Sequence, residues 1–352
     1  MTKVTRALLI GVTVGVIAGA GATAVYYRGL PDKPPAPVSA PSASLDPLQA
    51  FKQRVIELHD ARRVLYRRQG VTGAVINENE RFLLETLHDY ASRNSTSPYN
   101  FDVYKLYRGI QREYLGGERP ARILEIGPGI NLGVGFIFAL TGAEKYYGLD
   151  IYMDPDLFAA PQYESIAYLL QLADAGKPLR DVDSVMTVKD GKAVFAKDRI
   201  EYLHPRQSYD IPLPDGSLDY VFSHATLEHV ADPEKTVQAI HRTLRKGGIT
   251  AHQIDMRDHT EFSKPLEFLK VDEHTWNEQW KDPKRAAWYL NRWRLSDFKA
   301  AFDRAGFRIL KIAVNATFPV DESLRRSLDA RFQKYSLDDL SATGVMIIAR
   351  KE

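Results

Sequence analysis

The residues Glu125, Gly127 and Gly129, followed by Asp150, have the types and spacing of a nucleotide-type cofactor site. They lie in Ile123-Leu124-Glu125-Ile126-Gly127-Pro128-Gly129 and in the later run Tyr147-Gly148-Leu149-Asp150. The first apolar run supplies a buried strand, and its glycines let the backbone turn sharply and approach a ligand with no Cβ in the way. Asp150 ends a second strand, where a carboxylate can accept hydrogen bonds from both hydroxyls of a ribose. A second set comprises His224, Glu228, His229, His252, Asp255, Asp258 and His259. Its imidazoles titrate near neutrality beside carboxylates that can orient them, which is the chemistry of proton transfer.

The surroundings of the turn narrow the cofactor. A pyrophosphate binder wants G-x-G-x-x-G opening a helix, whereas here Ile130, Asn131 and Leu132 follow the second glycine before Gly133. Glu125 is unfavourable beside phosphates and favourable beside a sulfonium or an amino group. The arrangement E-x-G-x-G resembles the S-adenosylmethionine loop of class I methyltransferases. That resemblance implies Glu125 near the methionine end of the cofactor, the backbone of Gly127, Pro128, Gly129 and Asn131 passing beside it, and Asp150 on the ribose. It also implies that His224 and His229, after the fourth strand, border the cofactor pocket.

The resemblance extends over roughly residues 100 to 350. Ile211 to Ser223, with Pro214-Asp215-Gly216-Ser217 at its turn, is similar to the family's turn and fourth strand, and Leu227-Glu228-His229-Val230 follows. Asp232-Pro233 offers an N-cap and a first-turn proline for a helix with Val237, Ile240 and Leu244 on one apolar face, stopped at Lys246-Gly247-Gly248. Ile249 to Ile254 reads as the fifth strand. Ser296 can cap a helix carrying Phe298, Ala301 and Phe302 that ends at Gly306, and Phe307 to Val314 and Val345 to Ala349 read as strands. The segment from Asp181 to Tyr209 matches poorly, so the acidic residue that often contacts adenine has no assigned position. The expected fold is therefore α/β, a Rossmann-like doubly wound seven-stranded mixed sheet whose strand order comes from the resemblance.

Methyl transfer asks the protein to align an acceptor with the methyl carbon and, for an alcohol, to remove a proton. His259 is the expected general base, with Asp255 or Asp258 orienting it and His252 close by; the alternative is that these groups cap loops. Gln253 to His259, with Asn291-Arg292-Trp293-Arg294 later, resembles a subset of bacterial methyltransferases associated with sugar or polysaccharide modification. The oxygen donors here suit magnesium but do not specify it, and no metal is expected. The stretch 258–295 reads as a lid insertion. It holds all four tryptophans, Trp276, Trp280, Trp288 and Trp293, whose faces stack on sugars or pack cores.

With 352 residues the chain exceeds one ordinary domain. Its formal net charge of +2 and the absence of a basic tract with interleaved aromatics give no sign of a nucleic-acid partner. It contains no cysteine, which excludes disulfides, thiolate catalysis and Cys-based zinc sites. From Ala7 to Tyr27 no residue is charged, and Lys3, Arg6 and Arg28 flank the run, so residues 1–28 are expected to form a transmembrane helix with short flanks. Gly11, Gly15 and Gly19 would share a face through which a homodimer could form. A cleaved signal peptide ending at Ala22-Thr23-Ala24 is the competing reading. Residues 29–47 read as a Pro-rich linker and 48–115 as a helical extension before a methyltransferase domain over 116–352. The flanking charges lean towards an external enzyme, but the donor is a cytosolic metabolite. The expectation is a single-pass membrane protein with its catalytic domain in the cytoplasm, acting on a small-molecule or glycolipid acceptor. A quinone-like or phospholipid acceptor, and a non-catalytic cofactor-binding scaffold, are the alternatives.

Overall fold

The computed structural model describes residues 97–116, 121–129, 131–152, 158–173, 179–281 and 289–352. The expected transmembrane helix with its Gly11, Gly15 and Gly19 face, the linker, the helical extension as far as residue 96, and Trp288 lie outside the described residues. Among the described residues, no helix is long and apolar enough to cross a membrane.

The run around Ile123 forms β1 (Arg122–Ile126), the centre of the sheet. It is buried on both faces because both are covered, as is usual for a parallel strand. Ile123 packs with α1 (Ser97–Leu115) and α2 (Gly133–Leu140), while Leu124 and Ile126 join the core on the other side. β2 (Lys145–Leu149) and β6 (Leu218–His224) flank β1 in parallel. β5 (Ile200–Leu203) continues the parallel array beyond β2, and β7 (Leu244–Asp255) beyond β6. β9 (Ala342–Lys351) then pairs antiparallel with β7, and β8 (Phe307–Thr317) antiparallel with β9. The order β5-β2-β1-β6-β7-β9-β8 is the expected seven-stranded mixed sheet. α1, at the end of the expected helical extension, is part of this core: Tyr107 is fully buried and its ring stacks on Phe222 at 4.3 Å.

Three local expectations are refined. The poorly matching segment holds an inserted hairpin, β3 (Met186–Lys189) and β4 (Lys192–Phe195), before the short third sheet strand, here β5. Its turn is Asp190-Gly191, both with positive φ, as a tight hairpin demands. The helix that Asp232 caps, α4 (Pro233–Thr243), stops before Lys246, because Leu244 already pairs with Leu218 and opens β7. In α6 (Leu295–Arg304) the cap comes from the Asp297 carboxylate, which accepts from the Arg294 N–H at 2.9 Å, while the Ser296 hydroxyl donates to Asp339 instead.

The insertion after β7 folds with a segment unread in the sequence. Leu266, Phe268, Leu269, Trp276 and Leu290 share a core with Leu328, Phe332 and Leu340, from the connection between β8 and β9. The fully buried Arg294 fastens the two together. Its guanidinium donates to the carbonyls of Met256 at 2.8 Å, Ala342 at 2.6 Å and Leu340 at 3.3 Å.

Candidate active site

Parallel strands that end together leave a crevice beyond their carboxyl ends. The glycine turn lies there, directly after β1. Gly127 has φ +72°, its N–H donates to the Leu149 carbonyl at 2.8 Å, and a Cβ on it would stand 2.4 Å from Thr226 Cγ2. Gly129 has φ +73° with open space around it, and its N–H reaches Asp150 Oδ2 at 3.4 Å. Asp150 Oδ1 accepts from the Tyr152 N–H at 3.0 Å. Burial raises the Asp150 carboxyl, against the backbone N–H groups of Tyr152, Gly129 and Ile151 that favour its charged form. Pro128 packs near Gly148, where a Cβ would meet its ring at 3.3 Å. The Asn131 side chain is spent on structure: its Oδ1 accepts from the Gly133 N–H at 2.8 Å and fixes the start of α2.

Glu125 is buried and takes a 2.5 Å hydrogen bond from the Tyr146 hydroxyl on β2. The parallel register places Gly148 beside Glu125 and Tyr146 one side-chain step back on the same face. The Tyr146 ring also fills the place a Cβ would take on Gly135, at 2.2 Å. Burial pushes the Glu125 carboxyl up to about 7, with the Tyr146 bond opposing and the Asp150 charge assisting. A carboxyl so poised gains from a neighbouring positive charge. His224 ends β6 with Tyr99 edge-on at 5.8 Å and the Tyr107 hydroxyl 3.4 Å from its Nδ1. Burial lowers it to about 4, so it is neutral at physiological pH.

A second group gathers at the ends of β6 and β7. His229 and His259 face each other with ring centroids 4.9 Å apart. His229 Nδ1 is 2.7 Å from the Tyr289 carbonyl, which can only accept, so the proton sits on Nδ1 and the Nε2 lone pair is free. Burial, then the neighbouring His259, lower His229 to about 4. His259 Nε2 lies 3.7 Å from Asp255 Oδ2. Asp255 also holds Arg257 through bonds of 2.8 and 2.6 Å. Burial would raise the Asp255 carboxyl, but the Arg257 and His259 hydrogen bonds more than offset it and hold it well below the usual range. Glu228 is buried, neither of its carboxylate oxygens makes a close hydrogen bond, and burial pushes its carboxyl well up, against the nearby backbone N–H groups of Glu228 and Asp255 and the charge of Arg257.

Two expected site residues are placed elsewhere. His252 points to the opposite face of the sheet from Glu125 and His224, between Ser223 Oγ at 2.7 Å and Thr250 Oγ1 at 2.5 Å, and burial lowers it to about 3. Both of its ring nitrogens are satisfied inside the layer. Asp258 turns its own loop, accepting from the Thr260 N–H at 2.8 Å and hydroxyl at 2.6 Å. Asp255 is therefore the carboxylate that meets His259. Trp276 and Trp293 line a cavity of about 380 Å³ together with Tyr289, Arg292 and Tyr335. Tyr146, Tyr107, Thr226 and Arg257 escaped the sequence reading. Only Tyr146 had a signal there, through the register that the β1 and β2 motifs imply.

A family model described as a methyltransferase domain matches residues 99–312. Solved structures of similar fold include an S-adenosylmethionine-dependent methyltransferase from Mesorhizobium loti, at 17% identity over 69% of this chain and 96% of that one, with a TM-score of 0.36. Another is the geranyl diphosphate C-methyltransferase from Streptomyces coelicolor, at 14% identity over 70% and 79%, with a TM-score of 0.38. The YcgJ protein of Bacillus subtilis matches at 14% identity over 70% and 99%, also with a TM-score of 0.38. No curated protein sequence matches the chain.

Proposed function

The chain belongs to the methyltransferase-domain family, and from that premise we propose that it moves the methyl group of S-adenosylmethionine to an oxygen of a sugar-containing or lipid-linked acceptor near a membrane. The observation that carries this reading is the pairing, at the carboxyl ends of the parallel strands, of a glycine turn bonded to Asp150 with the His229, His259 and Asp255 group. The turn and Asp150 hold the nucleoside. Glu125 offers negative charge to the sulfonium and amino end, and Tyr146 keeps it oriented. His224 borders the pocket as a neutral ring.

At the acceptor side, His259 takes the hydroxyl proton as the oxygen attacks the methyl carbon. The new O–C bond forms, the C–S bond breaks, and its electron pair stays on sulfur as a neutral thioether. Asp255, held charged by Arg257, stabilises the resulting imidazolium. The apolar run Ala7 to Tyr27 supports membrane tethering, and the cytosolic origin of the donor supports a cytoplasmic catalytic domain.

Membranes from cells expressing the full chain, supplied with methyl-labelled donor, test the acceptor. Alkali-stable label in a glycolipid or saccharide fraction, lost in His259→Ala, is the expected result. Label in a quinone or phospholipid fraction would replace the acceptor, and absence of label from every fraction would overturn the reading.

A further inference from the structure

We infer that Glu228, His229 and His259 form a binding site for one divalent first-row transition cation of the zinc class. The ligand atoms of these three side chains lie within 4.8 Å of one another. Bonds of about 2.0–2.2 Å place tetrahedral ligands roughly 3.4 Å apart, so the ring closes onto an ion with shifts of about an ångström, within side-chain reach.

Several independent features aim this group at a cation. Glu228 is 3% exposed, yet neither carboxylate oxygen makes a close hydrogen bond, and only the backbone N–H groups of Glu228 and Asp255 lie near it. Buried carboxylates are paired or bound to metal, because leaving one without a partner costs several kcal/mol of lost hydration. His259 Nε2 is likewise buried and makes no close hydrogen bond, its nearest acceptor being Asp255 Oδ2 at 3.7 Å. The Tyr289 carbonyl fixes the His229 proton on Nδ1 and presents Nε2 as a lone pair, the outer support that metal-binding histidines receive. Asn291 anchors the loop that carries two of the ligands, donating from its side chain to the Leu227 carbonyl at 2.6 Å and from its backbone to the Glu228 carbonyl at 2.8 Å. Two imidazoles and one carboxylate favour a transition cation over magnesium or calcium, which prefer oxygen throughout.

Three protein ligands leave a position open, where an acceptor hydroxyl can bind and lose its proton more readily. When the ion is present His259 is a ligand, and the acceptor proton passes to solvent; methyl transfer is otherwise unchanged. This deepens the acceptor-side reading above and rests on its choice of site.

The test is calorimetric titration of zinc into the untagged full chain after chelator treatment, for wild type and for Glu228→Gln, His259→Ala and His241→Ala. His241 lies outside the cluster and controls for adventitious histidine binding. The expected result is one zinc per chain, at least a hundredfold weaker in Glu228→Gln and His259→Ala and unchanged in His241→Ala. Absence of zinc binding in wild type, equal affinity in all four proteins, or loss in His241→Ala would each overturn the site. S-adenosylmethionine binding, measured on the same samples, reports folding and separates the two proposals. Its persistence without zinc binding sinks only the metal site, and its absence from wild type sinks the methyltransferase reading.

Discussion

Replacing Glu125 with Gln separates the cost of the buried carboxylate from its use. In the folded chain burial raises this carboxyl from 4.5 to about 7. Because the folded value is the higher one, the folded state binds the extra proton between these limits. The stability this confers is fully present below pH 4.5 and is lost as pH rises through 7. At about 1.4 kcal/mol per pH unit, the interval from 4.5 to about 7 corresponds to on the order of 3 kcal/mol. Glutamine keeps an acceptor for the Tyr146 hydroxyl and carries no charge. The Glu125→Gln chain should therefore match wild type near pH 5 and exceed it by about 2–3 kcal/mol at pH 8. Denaturant unfolding followed across that range gives the difference directly, and Glu228, which titrates in both proteins, cancels. If Glu125 faces the sulfonium as proposed, the same variant should bind S-adenosylmethionine more weakly at pH 8. A constant stability difference at pH 5 and pH 8 would refute the assignment of a raised carboxyl to Glu125.

Gly127→Ala must accept both a positive φ and a Cβ against Thr226, whereas Gly129→Ala meets only the φ penalty. The first should lose about 2–3 kcal/mol and the second about 1 kcal/mol by thermal unfolding, with Thr226→Ala partly rescuing the first. Arg294→Met leaves the Met256, Leu340 and Ala342 carbonyls without their donor and should cost about 3 kcal/mol or more, read by denaturant midpoint. His252→Ala removes two buried hydrogen bonds and opens a void, so it should lower stability by about 2–3 kcal/mol while leaving turnover per folded molecule intact. His259→Ala should show the reverse pattern.

The sheet was legible where local chemistry agrees with tertiary demand. The apolar run of β1, the Asp232-Pro233 start of α4 and the two C-terminal strands carry their own signals. The third sheet strand was obscured because Ile200 to Leu203 is short and an independent hairpin precedes it, although Asp190-Gly191 marked that hairpin's turn. The turn after β1 was readable because the positive φ of Gly127 and Gly129 favours glycine. His252 was misplaced because side-chain alternation turns every second residue of β7 to the far face, and only the pairing of His252 with Ser223 tells which. The Glu228, His229 and His259 group brings together the segments after β6 and after β7 and is braced by Asn291 from the insertion, contacts far apart in sequence that no local pattern encodes.

Titration calorimetry of the full chain with S-adenosylmethionine and its demethylated product, for wild type and Asp150→Ala, decides whether the glycine turn and Asp150 form the donor site. The expected result is micromolar binding of both ligands to wild type, weakened at least tenfold, about 1.4 kcal/mol, by Asp150→Ala. A folded wild-type chain that binds neither ligand, or an Asp150→Ala variant that binds them as tightly, would contradict it.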